Sequence, residues 1–285
     1  MMLYNEEGAI KQLKVATVAM ECDREPAKNR AKIVNTVETI KQTNPDTEMI
    51  VFGEMILGWY NPGRDGAYHR GISEPIPGET TCELGELASK YGIYLCFGIS
   101  ENKDGILYNT QVLLNPQGEI QAIHRKWNLK PGEKKAGYQP GPQPVTITEI
   151  KGIKVGMIIC SDAANSRTML RLMKEHLELI IFSLADDKDE GWFMAKANAR
   201  LYDAWIISAN RYGREHDYWN GHLAITDPMG QMRSTSLDQE RYLVYELRFP
   251  TEQSWLQKVV RGIVVKVPLV SHILKHRKTL LSYFR

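Results

Sequence analysis

The sequence lacks the features that mark membrane, disulfide-rich and zinc-binding proteins. It has no run of about 18 consecutive apolar residues, the length that a membrane-spanning helix requires. Its four cysteines, Cys22, Cys82, Cys96 and Cys160, are too few and too scattered for a disulfide framework, and no C-x-x-C pair is present. We therefore expect free thiols and no membrane span.

Charge is also nearly balanced. The 36 basic and 34 acidic side chains give a net charge of +2 and are spread along most of the chain, so they create no strong field for nucleic acid. The start, MMLYNEEGAIKQLKVATVAM, has acidic residues where a signal peptide would be positive, and its apolar stretch is interrupted. We expect a cytoplasmic protein with no nucleic-acid partner.

What the chain does contain is an alternation of strand and helix patterns, with 43% hydrophobic residues to build a core. Apolar runs predict strands at 13–20, 48–53, 93–100, 107–114, 119–124, 154–160, 179–184 and 204–210. Helical spacing predicts helices at 25–42, 82–91, 168–176 and 192–202. This order indicates an α/β fold of mixed sheets covered by helices. Because no low-complexity linker interrupts it, we predict one domain over residues 1–285.

The stretch from Lys130 to Pro144, KPGEKKAGYQPGPQP, is rich in proline and glycine. It could be a linker, but it is short and lies between two strand-like segments. We interpret it as a surface loop.

Cys160 is the cysteine best placed for chemistry. It ends the predicted strand KVGMIIC and precedes a segment that soon becomes helical. In open α/β sheets, ligands gather at the carboxyl ends of strands, where the N–H groups of nearby helix starts stabilise a thiolate or an oxyanion. The alternative is a buried structural cysteine, which we prefer for Cys96 inside IYLCFGI.

A thiol nucleophile needs a base, and no histidine lies in a recognised cysteine-protease signature. His272 and His276 have metal-ligand spacing but no glutamate between them, so we expect no metal site. Glu54 directly follows the apolar run MIVFG, and Lys126 follows the strand at 119–124. Each could also be an ordinary exposed side chain, so neither is informative alone.

Together these segments resemble the signatures of the nitrilase superfamily of carbon–nitrogen hydrolases, which carry Glu, Lys and Cys in this chain order. The motifs are IVFGEMILGWY around Glu54, HRKWNLKPGE with Lys126 and Glu133, and KVGMIICSD with Cys160, and their spacing also fits. The likeness continues in segments across nearly the whole chain, including PIPGETTCELGELASKYGIYLCFGISE, LYNTQVLLNPQGEI, AKANARLYDAWIISANRYG and GHLAITDPMGQ.

The resemblance implies an amidase-like member with a four-layer α-β-β-α sandwich of two mixed β-sheets flanked by helices. Glu54 would accept the proton of Cys160, and the thiolate would attack a non-peptide carbon–nitrogen bond to form a thioester. Lys126 and the backbone N–H of Ser161 would stabilise the oxyanion, and Glu133 would position the substrate or tune Lys126. No metal or organic cofactor is needed.

The resemblance also implies where the substrate binds. Leu184 and Ala185 match a region that commonly contacts substrate. Trp59 and Tyr60 follow Glu54 closely enough to form a pocket wall, although aromatic residues more often belong to the core. The side chain of Asp162 is expected to cap the following helix.

Three departures from the family pattern concern residues around the pocket: Gly53 for a common proline, Ala164 for an arginine and Leu223 for a serine. They leave the substrate open among small-molecule amides, N-carbamoyl compounds and nitriles.

Other functions compete with an amidase. A non-catalytic binding or scaffold member would keep the fold, although all four site residues are present. An acyltransferase or a glutaminase is disfavoured, because the chain has neither membrane spans nor a fused synthetase domain.

The tail at 257–285 has no acidic residue and contains the apolar run GIVVKVPLV. It could lie on a membrane surface, but by analogy with the family we expect subunit contacts in a homo-oligomer, a dimer or larger.

Overall fold

The computed structural model describes residues 10–61, 63–236 and 241–250. The chain divides into two compact units, Leu13–Leu247 and a second unit of Met1–Gln12 with Arg248–Arg285. The site below, and the fold apart from the strand ends at 10–12 and 248–250, belong to the first unit. The tail at 257–285, with its expected role in subunit contacts, lies outside the described residues, and the single-domain prediction stays a prediction.

Strands and helices alternate in the described part of the chain much as the sequence predicts. The strands are β1 Ile10–Glu21, β2 Met49–Val51, β3 Tyr94–Lys103, β4 Ile106–Leu114, β5 Ile120–Arg125, β6 Thr146–Ile150, β7 Ile153–Ile159, β8 Leu179–Ser183, β9 Trp205–Ala209, β10 Arg211–Arg214, β11 Tyr218–Asn220, β12 Leu223–Thr226, β13 Met232–Ser236 and β14 Arg241–Pro250. The α-helices are α1 Pro26–Thr43, α2 Gly66–Gly71, α3 Glu79–Tyr91, α4 Pro131–Ala136, α5 Ser166–Glu175 and α6 Glu190–Tyr202. A short 3₁₀ helix, Cys160–Ala164, joins β7 to α5.

The strands form two mixed sheets. The first has the order β11-β10-β1-β2-β3-β4-β5, with β14 also pairing with β1, and the second has the order β13-β12-β9-β8-β7-β6. In the first sheet β1, β2 and β3 are parallel, whereas β3, β4 and β5 are antiparallel. In the second sheet β7, β8 and β9 are parallel, so their carboxyl ends lie at one edge.

Helices cover the outer faces of these sheets. Ile33 and Val37 of α1 and Leu84 of α3 are buried in one core cluster with residues of the first sheet, while α6 packs on β9 and β12 of the second. The inner faces meet, because Thr17 Oγ1 of β1 donates to Ser208 O of β9 at 2.7 Å. The four-layer α-β-β-α sandwich is therefore confirmed. No helix among the described residues is long and apolar enough to span a membrane.

The interpretation of Lys130 to Pro144 as a surface loop is wrong for its first half, whereas residues 139–144 are irregular and mostly exposed. The segment contains α4, and Glu133, Ala136 and Tyr138 are buried. A proline at the first helical position is compatible with a helix start, and the Glu133 side chain accepts from Lys130 N at 2.7 Å. Gly137, at φ +95°, ends the helix in the left-handed conformation that glycine adopts without strain.

Candidate active site

A buried ammonium group lies between two buried carboxylates. Lys126 follows β5, Glu54 follows β2 and Glu133 lies on α4; all three residues have 0% exposure. Lys126 Nζ is 2.7 Å from Glu54 Oε1 and 3.1 Å from Glu133 Oε1. Because charges buried without partners are costly, these three side chains stabilise one another. The structure thus brings together three of the four predicted catalytic residues in one ionic group.

Asn109 of β4 completes this group and was not predicted. Its Nδ2 atom donates to Glu54 Oε1 at 2.6 Å and to Glu133 Oε1 at 2.7 Å. The available signal was a lone asparagine in the strand-like segment LYNTQVLL, since asparagine is depleted in strands. The amide holds both carboxylates in fixed positions around Lys126.

The two carboxylates differ in their second oxygen. Glu133 Oε2 accepts from Lys130 N, so both Glu133 oxygens are occupied. Glu54 Oε2 is buried without a hydrogen-bond partner among the described residues. An unpaired buried carboxylate oxygen is costly, and it is free to accept a proton. Of the two carboxylates, only Glu54 thus has an oxygen without a partner in the described part of the chain.

Cys160 begins the 3₁₀ helix directly after β7, rather than ending the strand. Its φ is +43°, a left-handed conformation that costs a residue other than glycine about 1–3 kcal/mol. Such strain persists only where the surrounding structure imposes it, and it is often found at functional sites. The residue is half-buried, so it is neither a core cysteine like Cys96 nor fully exposed like Cys82.

Electrostatics link Cys160 to the ionic group. Burial raises the pKa of the Cys160 thiol to about 12, with Glu54 raising it further while Lys126 and Lys130 oppose this shift. Burial alone would lower the pKa of Lys126, but Glu133 and Glu54 outweigh it and raise that pKa well above its ordinary value. Near neutral pH the cysteine is consequently a thiol and the lysine a cation.

Tyr60 and Ala185, two of the predicted pocket residues, lie in the same buried cluster. Its members are Met55, Tyr60, Leu107, Leu129, Ala136, Tyr138, Ala185 and Trp219. Burial, with Glu133 and Glu54 contributing, raises the pKa of Tyr60 well above its ordinary value, which places its ring within the field of the ionic group. Leu184 is buried beside this cluster, and its carbonyl oxygen accepts from Glu54 N at 3.1 Å.

The other two predicted pocket residues make different contacts. The Trp59 indole Nε1 donates to Cys22 O at 3.1 Å, and the Arg24 guanidinium lies 5.0 Å from its ring centre. Ser161 Oγ donates to Asn128 O at 2.5 Å. The Ser161 hydroxyl is thus engaged with Asn128.

The expectation that Asp162 caps the following helix is wrong. Asn165 caps α5, because its side chain accepts from Arg167 N at 2.9 Å. Asp162 is fully buried and accepts from Ile159 N, Trp127 N and Asn128 N instead. A helix-capping carboxylate would bond only to N–H groups in the first turn of α5. The Asp162 carboxylate instead joins the Cys160 turn to the segment after Lys126.

Arg211 supports the loop that follows Glu54 and was also not predicted. It is fully buried, and its guanidinium donates to Glu54 O at 3.0 Å, Met55 O at 2.6 Å and Gly58 O at 2.6 Å. Its charge is paired with Glu215. These bonds hold the backbone of the Glu54 loop, including Met55 at φ +49°.

Comparison with known proteins assigns the chain to a family. The carbon–nitrogen hydrolase family model matches residues 14–257. The chain belongs to the carbon–nitrogen hydrolase family, and the resemblance to the nitrilase superfamily is confirmed.

Individual relatives agree with this assignment. An (R)-stereoselective amidase of a Pseudomonas species is 27% identical over 229 residues, which cover 78% of this chain and 80% of the relative. An omega-amidase of Danio rerio is 26% identical over 247 residues, which cover 81% of this chain and 86% of the relative. The solved structure of an amidase from a Nesterenkonia species has the same fold, with a TM-score of 0.73 at 19% identity, covering 88% of this chain and 95% of that one.

Proposed function

We propose that this protein is an amidase that hydrolyses linear amides to ammonia and a carboxylic acid through a thioester on Cys160. The observation that carries the proposal is the buried Glu54–Lys126–Glu133 group, held by Asn109, in electrostatic contact with the Cys160 thiol. The amidase and the omega-amidase among the relatives support a linear amide as the substrate.

The high pKa of Cys160 defines the role of Glu54. A thiol with a pKa of about 12 is almost entirely protonated near neutrality, so it needs a base during attack. Glu54 Oε2, which has no other partner in the described structure, accepts the thiol proton as sulfur attacks the amide carbon. Lys126 remains protonated and holds Glu54 Oε1 throughout.

Charge then develops on the amide oxygen. Lys126 and the backbone N–H of Ser161 stabilise the tetrahedral oxyanion, each donor contributing about 3 kcal/mol in comparable enzymes. Glu54 returns the proton to the leaving nitrogen, the carbon–nitrogen bond breaks, and ammonia departs. Glu54 next takes a proton from water, whose oxygen attacks the thioester, and the thiol and the carboxylic acid are released. Glu133 keeps Lys126 in place.

A substrate panel tests the proposal. Aliphatic amides, omega-amides, N-carbamoyl compounds and nitriles are incubated with the protein and with its Cys160→Ala variant, and ammonia is measured. We expect the linear amides to be hydrolysed best and the variant to be inactive. Cys82→Ala, which removes an exposed thiol, is the matched control and should keep full activity.

Two results would contradict the proposal. Equal ammonia release by Cys160→Ala would exclude the thioester route. No hydrolysis of any compound by the wild-type protein would favour a non-catalytic binding member of the family.

We also propose that the protein acts in the cytoplasm as a homo-oligomer whose subunit contacts involve residues 257–285. The basic, acid-free composition of this tail and its apolar run support the proposal. Light scattering on the full chain and on a chain ending at residue 256 tests it, because removal of the tail should reduce the molar mass to a smaller species.

A further inference from the structure

Asp162 is the point at which three segments around the site meet. Its Oδ1 atom accepts from Trp127 N at 3.0 Å and from Asn128 N at 2.7 Å, directly after Lys126. Its Oδ2 atom accepts from Ile159 N at 3.0 Å, directly before Cys160. A fourth bond joins Oδ2 to His124 Nε2 at 2.9 Å. One fully buried carboxylate thus connects the segment directly after Lys126 to the residue directly before Cys160.

The direction of the His124 bond follows from its partner. The Asp162 oxygens already accept three backbone N–H bonds, so we take this side chain as the acceptor and His124 Nε2 as the donor of the fourth bond. His124 lies on β5 two residues before Lys126 and is fully buried, with its Nδ1 atom 3.2 Å from Thr146 Oγ1 of β6. The His124 imidazole, which lies between Thr146 and Asp162, therefore fixes the orientation of the Asp162 carboxylate.

A second connection runs beside the first. Ser161 Oγ donates to Asn128 O, and Asn128 Nδ2 donates to Ser161 O at 2.7 Å. Cys160 lies between Ser161, which bonds directly to Asn128, and Ile159, which is connected to Asn128 through Asp162. These bonds on either side of Cys160 surround the residue whose φ is +43°, and backbone strain of this kind persists only where neighbouring contacts hold it.

We propose that His124 and Asp162 are a positioning pair that holds the Cys160 turn against the segment after Lys126, so that sulfur and ammonium keep the separation that attack requires. The expected effect of this pair on catalysis rests on the proposed amidase function. The expected effect on the reactivity of the Cys160 thiol does not depend on any substrate.

Asp162→Asn is the first test. The substitution keeps the size but replaces one acceptor oxygen by an N–H₂ group, which faces the donors of Ile159 and His124 or of Trp127 and Asn128. We expect the rate of alkylation of Cys160 by iodoacetamide, followed by peptide mass, to change at least tenfold at fixed pH. The kcat of amide hydrolysis should fall about 100-fold with little change in KM, as expected when reacting groups are misplaced by about 1 Å.

Asp227→Asn is the matched control. Asp227 is also buried, accepts from Met229 N and Gln231 N, and pairs with Arg233 at the turn between β12 and β13. The Asp227→Asn variant should have a lower thermal midpoint but the wild-type rate of Cys160 alkylation and the wild-type kcat. Wild-type alkylation and kcat in Asp162→Asn, or equal effects of the two variants, would overturn the positioning role.

The histidine is tested separately, which also decides the matter if Asp162→Asn does not fold. His124→Gln keeps a donor at the position of Nε2 and should retain most of the wild-type alkylation rate and kcat. His124→Phe removes the donor and should change both rates at least tenfold. Equal rates in the two variants would overturn the proposal. If the wild-type protein hydrolyses no amide but the alkylation rates still differ in this way, the amidase function fails and the positioning pair stands.

Discussion

Asn109, in the first half of β4, donates from its Nδ2 atom to Oε1 of Glu54, which follows β2, at 2.6 Å. The same amide nitrogen lies 2.7 Å from Glu133 Oε1. Asn109→Asp should therefore replace the amide that donates to both Glu54 and Glu133 with a third carboxylate. We expect kcat to fall at least 100-fold and the free energy of unfolding to fall by about 1–3 kcal/mol, since the donor is lost in a buried network.

Asn102→Asp provides the comparison for that variant. Asn102 makes one side-chain bond, from Gly105 N to its Oδ1 atom, in the β3–β4 turn, and an aspartate keeps this acceptor. Activity assays and urea unfolding should leave Asn102→Asp at wild-type values. A fully active Asn109→Asp protein would show that the amide does not hold Glu54 for catalysis.

The contrast between Glu54 and Asn109 shows how far the sequence predicts the site. Glu54 and Lys126 each follow an apolar run, so local pattern and the family motifs together predict that they meet at strand ends. Asn109 appears only as a polar residue within a strand, and its partners lie 55 and 24 positions away. Its role depends on tertiary packing, which no local pattern records.

The fold shows the same division. The alternation of strand and helix patterns predicts mixed sheets covered by helices, the family resemblance adds the four-layer arrangement, and both are confirmed. The first half of the segment from Lys130 to Pro144 was misinterpreted because its prolines and glycines are typical of loops. Only the tertiary structure shows that Pro131 starts a helix. Glu133 of this helix is buried, where its carboxylate accepts hydrogen bonds from Lys126 and Asn109.

The raised pKa of Cys160 predicts a loss of stability at alkaline pH. The ordinary value is 9.0, and burial first, then Glu54, raises it to about 12 in the folded protein. Between these values the unfolded chain releases the thiol proton and the folded chain keeps it, so the free energy of unfolding falls as pH rises. The contribution is complete below pH 9 and approaches a loss of about 1.4 kcal/mol per pH unit above it.

Urea unfolding of the wild-type protein and Cys160→Ser at pH 8, 9 and 10.5, with reductant present, measures this difference. Serine does not titrate in this range, so the variant should lose less stability than the wild type. Parallel pH profiles for the two proteins would mean that the Cys160 thiol is not buried beside Glu54.

His69 predicts the opposite dependence at acidic pH. Burial, assisted by Arg211, lowers its pKa from 6.5 to about 4. Its stabilising contribution is complete above pH 6.5, and it is lost as pH falls towards 4, because the unfolded chain binds a proton that the folded chain does not. His69→Gln should therefore lose less stability than the wild type between pH 6.5 and 4.5, as measured by urea unfolding. The exposed His176, replaced by glutamine, should leave the wild-type profile unchanged.

Arg211 offers the sharpest test of how the Glu54 loop is held. Its guanidinium reaches the carbonyl groups of Glu54, Met55 and Gly58 while pairing with Glu215, and the single ammonium of a lysine cannot span these four acceptors. Arg211→Lys should lower the free energy of unfolding by about 3 kcal/mol, because a buried charge loses its partners. It should also lower kcat, since Glu54 is the proposed base.

Arg233→Lys is the control for Arg211→Lys, because Arg233 pairs with Asp227 from a side chain that is 42% exposed. Exposed ion pairs contribute about 0–1 kcal/mol, so this variant should remain close to the wild type in urea unfolding and in amide hydrolysis. If Arg211→Lys lost stability yet kept its kcat, the arginine would serve folding alone, and Glu54 would be held sufficiently by Lys126 and Asn109. A fall in both quantities would show that the loop backbone and the base are positioned by the same guanidinium.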